Sequence, residues 1–133
     1  GGSDVELESQ AVSLVNATRD SVGRHSLTLS ASLTAAADAY ARLMAERGFF
    51  GHDGPDGSSP ESRIRAVGYG GSFNGEALAA GQASARDAVT TWLNSPPHAA
   101  ILLDGRSTEI GIGYYYSPDT QYKHYWVLLT GVP

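Results

Sequence analysis

The end of the chain constrains the fold most. Two runs, "TEIGIGYYY" and "YKHYWVLLT", alternate in the manner of strands and are rich in β-branched and aromatic residues, and only the five residues "SPDTQ" lie between them. So short a link pairs the runs as an antiparallel hairpin. Gly111 and Gly113 fall on one face of the first run, opposite Ile110, Ile112 and Tyr114. Two glycines weaken a strand, so their presence implies that something packs very close to that face. A helix or loop backbone is expected there, with the segment around His98 as a candidate.

Upstream, the pattern is mainly helical. Residues 5–20 place Leu7, Ala11, Leu14, Val15 and Thr18 on one helical face, with Gly23 beyond the end. The clearest helix has Ser30 or Ser32 as its cap and Leu33, Ala36, Ala37, Tyr40, Leu43 and Met44 at three- and four-residue spacing, and it stops at Gly48. Ser59-Pro60 starts a short helix through Ile64 and Val67. The run "FNGEALAAG" reads as an irregular strand, with Phe73, Gly75, Ala77 and Ala79 alternating against Asn74, Glu76 and Leu78. A helix from Ser84 buries Ala85, Ala88, Val89 and Trp92, and "SPP" breaks it before His98. Helices early and a hairpin late point to an α+β domain on an antiparallel sheet. At 133 residues without a repeat, one domain over 1–133, with its core at about 5–131, is expected.

Composition removes several function classes. Nine basic residues against 14 acidic ones give a net charge of −5, and the eight arginines and single lysine form no basic stripe, so no nucleic-acid partner is expected. No apolar run approaches the roughly 18 residues that span a bilayer. Cysteine is absent, which excludes disulfides and thiolate chemistry. The start, "GGSDVELES", shows no leader pattern and reads as a processed or trimmed form.

Four histidines are the candidate chemical groups. His25 sits in a linker and reads as solvated, and His124 alternates in phase with Tyr122, Trp126 and Leu128 on the last strand. His52 and His98 instead border glycine- and proline-rich breaks, where a scaffold can hold the backbone while the side chain reaches a cleft. Glu76 is a lone acid in a near-neutral run and needs a partner, either a protonated histidine or a shared metal. The spacings of 24 and 22 positions match no short metal motif.

The order of the blocks adds more. "LVNATR", "LTLSASLTAAADAYARLMAERGFFGHDGPDGSSPESRIRAVGY", "GEALAAG", "AVTTWLNSPPHAAILL", "TEIGIGYYY" and "YWVLLTG" together resemble the bacterial branch of the CAP superfamily, the cysteine-rich secretory, venom allergen and plant pathogenesis-related proteins. The resemblance runs from about Val5 to Gly131. It implies a three-layer α-β-α sandwich with a central antiparallel sheet and a cleft of two histidines and acidic residues. His52 matches the first cleft histidine, Glu76 the acid of the family's G-E-N motif, and His98 the second cleft histidine. The chain departs from the family pattern at Ala77, Pro97 and Ala99, and Ser95 stands where eukaryotic members carry a second glutamate. A tetrad is thereby reduced to a triad.

The resemblance also implies a secreted, extracellular or cell-envelope location. The leading expectation is a monomeric binding module whose cleft holds Zn²⁺ or another divalent cation through His52 and His98, with Glu76 as a ligand or as a partner behind one. Its further partner is an extracellular ligand: a small molecule, a lipid or a cell-envelope component. One alternative is a metal-dependent hydrolase with Glu76 as general base on a bound water. Catalytic zinc normally takes three protein ligands, and that role leaves two. A serine nucleophile at Ser58, Ser59 or Ser95 has no supporting motif. Lipid or sterol carriage on Tyr114, Tyr115 and Tyr116 is the third reading, although an alternating strand puts Tyr115 on the opposite face. In the loop after Gly48, Phe49 and Phe50 are expected to anchor the helix end, Gly51 and Gly54 to permit the turn, and Asp53 and Asp56 to stiffen it, holding His52 toward His98.

Overall fold

Among the described residues, four strands make one sheet in the order β1-β3-β4-β2, with β1 at Thr28–Leu29, β2 at Ser72–Ala80, β3 at Glu109–Tyr116 and β4 at His124–Val132. The structure is a computed structural model that describes the backbone of residues 2–133 and the side chains from residue 4 onward. The expected hairpin is β3–β4, paired antiparallel from Glu109↔Gly131 to Tyr116↔His124. β2 pairs antiparallel with the other edge of β4. The sheet is not antiparallel throughout, however, because β1 runs parallel to β3 from within a stretch that reads as a linker. Its two residues are exposed, so no alternation could reveal it.

Helices cover both faces, which gives the α-β-α sandwich. α1 (Gly2–Ser21), α4 (Ala85–Leu93) and α5 (Pro96–Leu102) share a core with Ala77, Ile112, Trp126 and Leu128. α2 (Ala31–Arg47) and α3 (Pro60–Ala66) share the other with Leu78, Tyr125, Val127 and Leu129. The alternation of β4 thus feeds both cores, as a strand covered on each side requires. Capping follows the sequence closely: Ser30 accepts from the Leu33 amide, Ser59 forms a capping box with Ser62, and Gly48 closes α2 in the left-handed region at φ 67°.

Two elements depart from expectation. "SPP" does not merely end α4. Ser95 is the N-cap of α5 and the prolines occupy its first turn, where their missing amides cost nothing, so His98 lies within a helix. In β2, the register shifts between Phe73 and Gly75. This bulge sends Phe73 to the core of Leu78 rather than that of Ala77 and Ala79, because one extra residue reverses the faces of everything before it.

The element approaching Gly111 and Gly113 is α2, not the segment around His98. A Cβ built at either glycine would fall under 3.0 Å from backbone atoms of residues 33–34 or 37–38. The buried stripe of α1 is also unlike the apolar one expected, since Glu8 and Arg19 belong to it with Ala11 and Val15. Arg19 donates from Nη1 to the carbonyls of Leu102 (2.8 Å) and Asp104 (3.0 Å), and from Nε to that of His25 (2.8 Å). It therefore ties α1 to the end of α5. Glu8 accepts from the Tyr114 amide at 3.0 Å. Burial, then the hydrogen bond and charge of Asp38, push its carboxyl pKa up to about 9. The hydrogen bond between Glu8 and Asp38 joins α1 to α2 beside Tyr114 of β3.

Candidate functional site

Glu76 lies on β2 just past the bulge, with its side chain 2% exposed. A carboxylate so deeply buried is costly unless both oxygens are satisfied. Both are. Oε1 is 2.7 Å from His52 Nδ1, and Oε2 accepts from Arg63 Nη2 at 2.9 Å. The neighbour expected for Glu76 was an imidazole or a metal, and the second partner is instead an arginine.

Arg63 reaches the site because α3 begins at a capped serine and proline and presents it one turn later. Its guanidinium also donates to the His52 carbonyl (2.9 Å) and to the carbonyl and hydroxyl of Ser58 (3.3 and 3.1 Å). It stacks on the Tyr40 ring with Cζ 3.3 Å from the centroid. Tyr40 donates its hydroxyl to the Gly51 carbonyl, and burial pushes its pKa up to about 12, so it remains a donor at neutral pH. The backbone on either side of His52 is thus held by residues of α2 and α3. Arg63 and Tyr40 were both missed from sequence. The available signal was the need of Glu76 for a counter-charge, with "SPESR" close to the loop.

Replacing Arg63 should show its weight. Arg63→Met leaves Glu76 with His52 alone, and we expect a loss of about 2–3 kcal/mol in urea unfolding, less than the cost of a wholly orphaned buried charge. A loss under about 0.5 kcal/mol would show that the pair carries little.

The loop behaves partly as its composition suggested. Phe49 packs against Tyr40 with ring centroids 5.9 Å apart, whereas Phe50 is 45% exposed and anchors nothing in the core. Asp56 accepts from the Ser58 amide at 3.0 Å, and hydrogen bonding from the Ser58 hydroxyl, then from that amide, holds its carboxyl below the usual range. Gly57, not Gly51, takes the left-handed backbone, and Gly54 is crowded by Asp56 and Ser58. Gly51, expected to let the backbone turn without a clash, has neither positive φ nor a close neighbour among the described residues, so a side chain there would meet none.

His98 approaches from α5. Gly75 permits this, because a Cβ there would meet Ile101 Cγ2 at 2.8 Å. Burial, then the nearby His52, lower the His98 pKa. Its Nδ1 is buried and has no hydrogen-bond partner among the described residues. His52 by contrast has a side chain 55% exposed. Among the described residues, no three His, Cys, Asp or Glu side chains converge as a ready ligand group. Nor, among them, is a serine hydroxyl bonded to His52 or His98. Glu76, buried and twice bonded, is poorly placed to act as a base toward water. The other two histidines are engaged elsewhere: His124 Nδ1 meets the Tyr114 hydroxyl at 2.6 Å, and His25 Nε2 lies 2.9 Å from the Ser107 carbonyl. Tyr114 is buried on Trp126, Tyr115 faces the other core and Tyr116 is exposed, as alternation implied.

Comparison with known proteins bears on the family and the fold. The profile of the cysteine-rich secretory protein family, CAP, matches residues 12–129. The uncharacterized protein YkwD of Bacillus subtilis strain 168 is 32% identical over 110 residues, which is 83% of this chain and 43% of that protein. The chain therefore spans less than half of that relative. An extracellular SCP-domain protein of Bacillus anthracis superposes with a TM-score of 0.86 at 25% identity, covering 96% of this chain and 41% of that one. An outer surface protein of Borrelia burgdorferi gives 0.83 at 28%, covering 95% of this chain and 92% of that one. With a family profile matched over most of its length and these shared folds, the chain belongs to the cysteine-rich secretory protein (CAP) family, although it contains no cysteine.

Proposed function

We propose that the chain is an extracellular binding module whose His52–His98 cleft takes a divalent cation, with Zn²⁺ the best match to two imidazoles. The observation that carries this reading is the 2.7 Å contact between His52 Nδ1 and Glu76. A carboxylate on one ring nitrogen fixes the tautomer and leaves Nε2 free as a lone-pair donor, the arrangement common behind metal-binding histidines. The unpartnered ring nitrogen of the neighbouring His98, whose pKa burial lowers, supplies a second donor. Glu76 then orients a ligand and does not itself bind. Two protein donors leave the remaining positions to water, which makes the site exchangeable rather than structural. Both oxygens of Glu76 are engaged, which argues against the hydrolase reading. An extracellular setting is supported by the description of the Bacillus anthracis neighbour as extracellular and of the Borrelia burgdorferi neighbour as an outer surface protein.

Thermal melts test the reading. With Zn²⁺ at about tenfold over its dissociation constant, the melting temperature at pH 8 should rise by about 3–5 °C, because the cation binds only the folded state. Protons compete for the same nitrogens, so metal-derived stability is present at high pH and fades as pH falls below about 6. His52→Ala and His98→Ala should each remove most of the shift, while His25→Ala and His124→Ala keep it. Glu76→Gln should weaken it less than either cleft variant. A shift retained in full by all four histidine variants, or absent from the parent, overturns the reading.

A further inference from the structure

The loop that carries His52 also presents Phe50, and Phe50 faces a different place. A groove of about 560 Å³ lies between the end of α2 and the β3–β4 turn. Phe50 and Tyr122 meet there with ring centroids 6.0 Å apart and planes at 52°, and Tyr125 stands at 84° to Tyr122 with centroids 6.2 Å apart. Phe50 and Tyr122 are 45% and 40% exposed, although each is large enough to be worth burying. All three rings line the groove.

Its polar lining has a definite character. Asp119 and Gln121 come from the turn, and Glu46 and Arg47 from the last turn of α2. Glu46 is already paired with Arg42 at 3.0 Å, which leaves one charge of each sign, Arg47 and Asp119, in the lining. No single sign of charge dominates, so the lining does not select an ion. It offers planar side chains that donate and accept hydrogen bonds beside partly exposed aromatic rings.

The turn that presents Tyr122 is stiff. Thr120 Oγ1 donates to the Ser117 carbonyl (2.8 Å) and accepts from the Lys123 amide (3.2 Å), and the Ser117 amide donates to the Lys123 carbonyl (2.7 Å). These bonds hold Lys123 at φ 67°, the single non-glycine residue with positive φ among those described. A non-glycine residue stays in that region only where its surroundings over-determine it, and such strain clusters at ligand contacts. Tyr122 is held ready, so little ordering is needed when a ligand arrives.

From these features we propose that the groove binds a neutral oligosaccharide. The C–H faces of its rings would stack on Tyr122 and Phe50, and its hydroxyls would bond to Asp119, Gln121 and Arg47. The volume falls within the usual range for ligand clefts, and the open shape suits a short segment of polymer. This site is separate from the His52–His98 cleft and does not depend on a metal there.

Amide chemical-shift titration of the whole chain tests the proposal with three probes: the β-1,4-linked trimers of N-acetylglucosamine and of glucose, and maltotriose. At least one should give saturable shifts centred on residues 46–50 and 119–125. Tyr122→Ala and Phe50→Ala should each weaken binding by about tenfold or more, while Tyr122→Trp should retain it, which separates lost stacking from lost folding. Affinity should be the same in roughly 50 and 500 mM NaCl, as expected for an uncharged ligand, and unchanged by excess EDTA. Failure of all three probes to shift these residues, full affinity in Tyr122→Ala, or a loss of about tenfold at the higher salt would each overturn the assignment.

Discussion

Gly113→Val should destabilise the protein by about 3 kcal/mol or more in urea unfolding, at or beyond the upper end of the usual cost of overpacking. Strand propensity alone argues the opposite sign, since valine favours strands and glycine weakens them. Contact decides the matter. The new Cβ would press on the backbone of Ala37 and Asp38 in α2, and a backbone held in a helix cannot step aside as a side-chain tip can. Accommodating it means moving α2 off the sheet, and α2 carries the core residues Leu33, Tyr40 and Met44. Gly113→Ala should already show much of the loss. Gly70→Ala, where nothing lies within 4 Å, should stay within about 0.5 kcal/mol of the parent and serves as the control. Parental stability in Gly113→Val would show that α2 does not approach β3 so closely.

Trp92→Ala should cost about 3–5 kcal/mol. The residue is fully buried among Ala85, Ala88, Val89 and strand residues of the same core. Its Nε1 donates to the Leu78 carbonyl at 3.0 Å, which joins α4 to β2. The substitution removes a large volume and leaves that carbonyl without its donor. Trp92→Phe keeps most of the packing and loses the hydrogen bond, so it should cost about 1–2 kcal/mol, and the difference between the two variants isolates the cavity. A loss below about 1 kcal/mol for Trp92→Ala would place the indole at the surface.

The two proposed sites on the His52 loop share one structural device. Arg63 and Tyr40 hold the backbone around residues 51 and 52 from two helices, so the short segment from Phe50 to His52 is fixed by residues outside the loop as well as by its own. One side chain of that segment meets Glu76 and another meets Tyr122. Functional side chains on a loop need such support, because glycine and aspartate lower the penalty of turning but do not select one conformation.

The chain sequence by itself determined whatever depends on near neighbours. The hairpin follows from two alternating runs and a five-residue link, α2 from its spacing, its Ser30 cap and Gly48, and α3 from Ser59-Pro60. The crowding at Gly111 and Gly113 was legible for the same reason, since glycine weakens a strand unless a close neighbour needs the space a side chain would fill. The block order marked His52, Glu76 and His98 as residues of one region, and the structure brings Glu76 onto His52 and His98 near it. Tertiary structure alone decided which groups answer one another across distant segments. That α2 fills the glycine face, that Arg63 takes the second oxygen of Glu76, that Glu8 and Arg19 belong to a buried stripe, and that two exposed residues form β1 all depend on pairings between elements far apart in the chain. Local propensity carries no information about such partners. A buried charge declares that it needs one, and only the packing of helices on the sheet determines which residue it is.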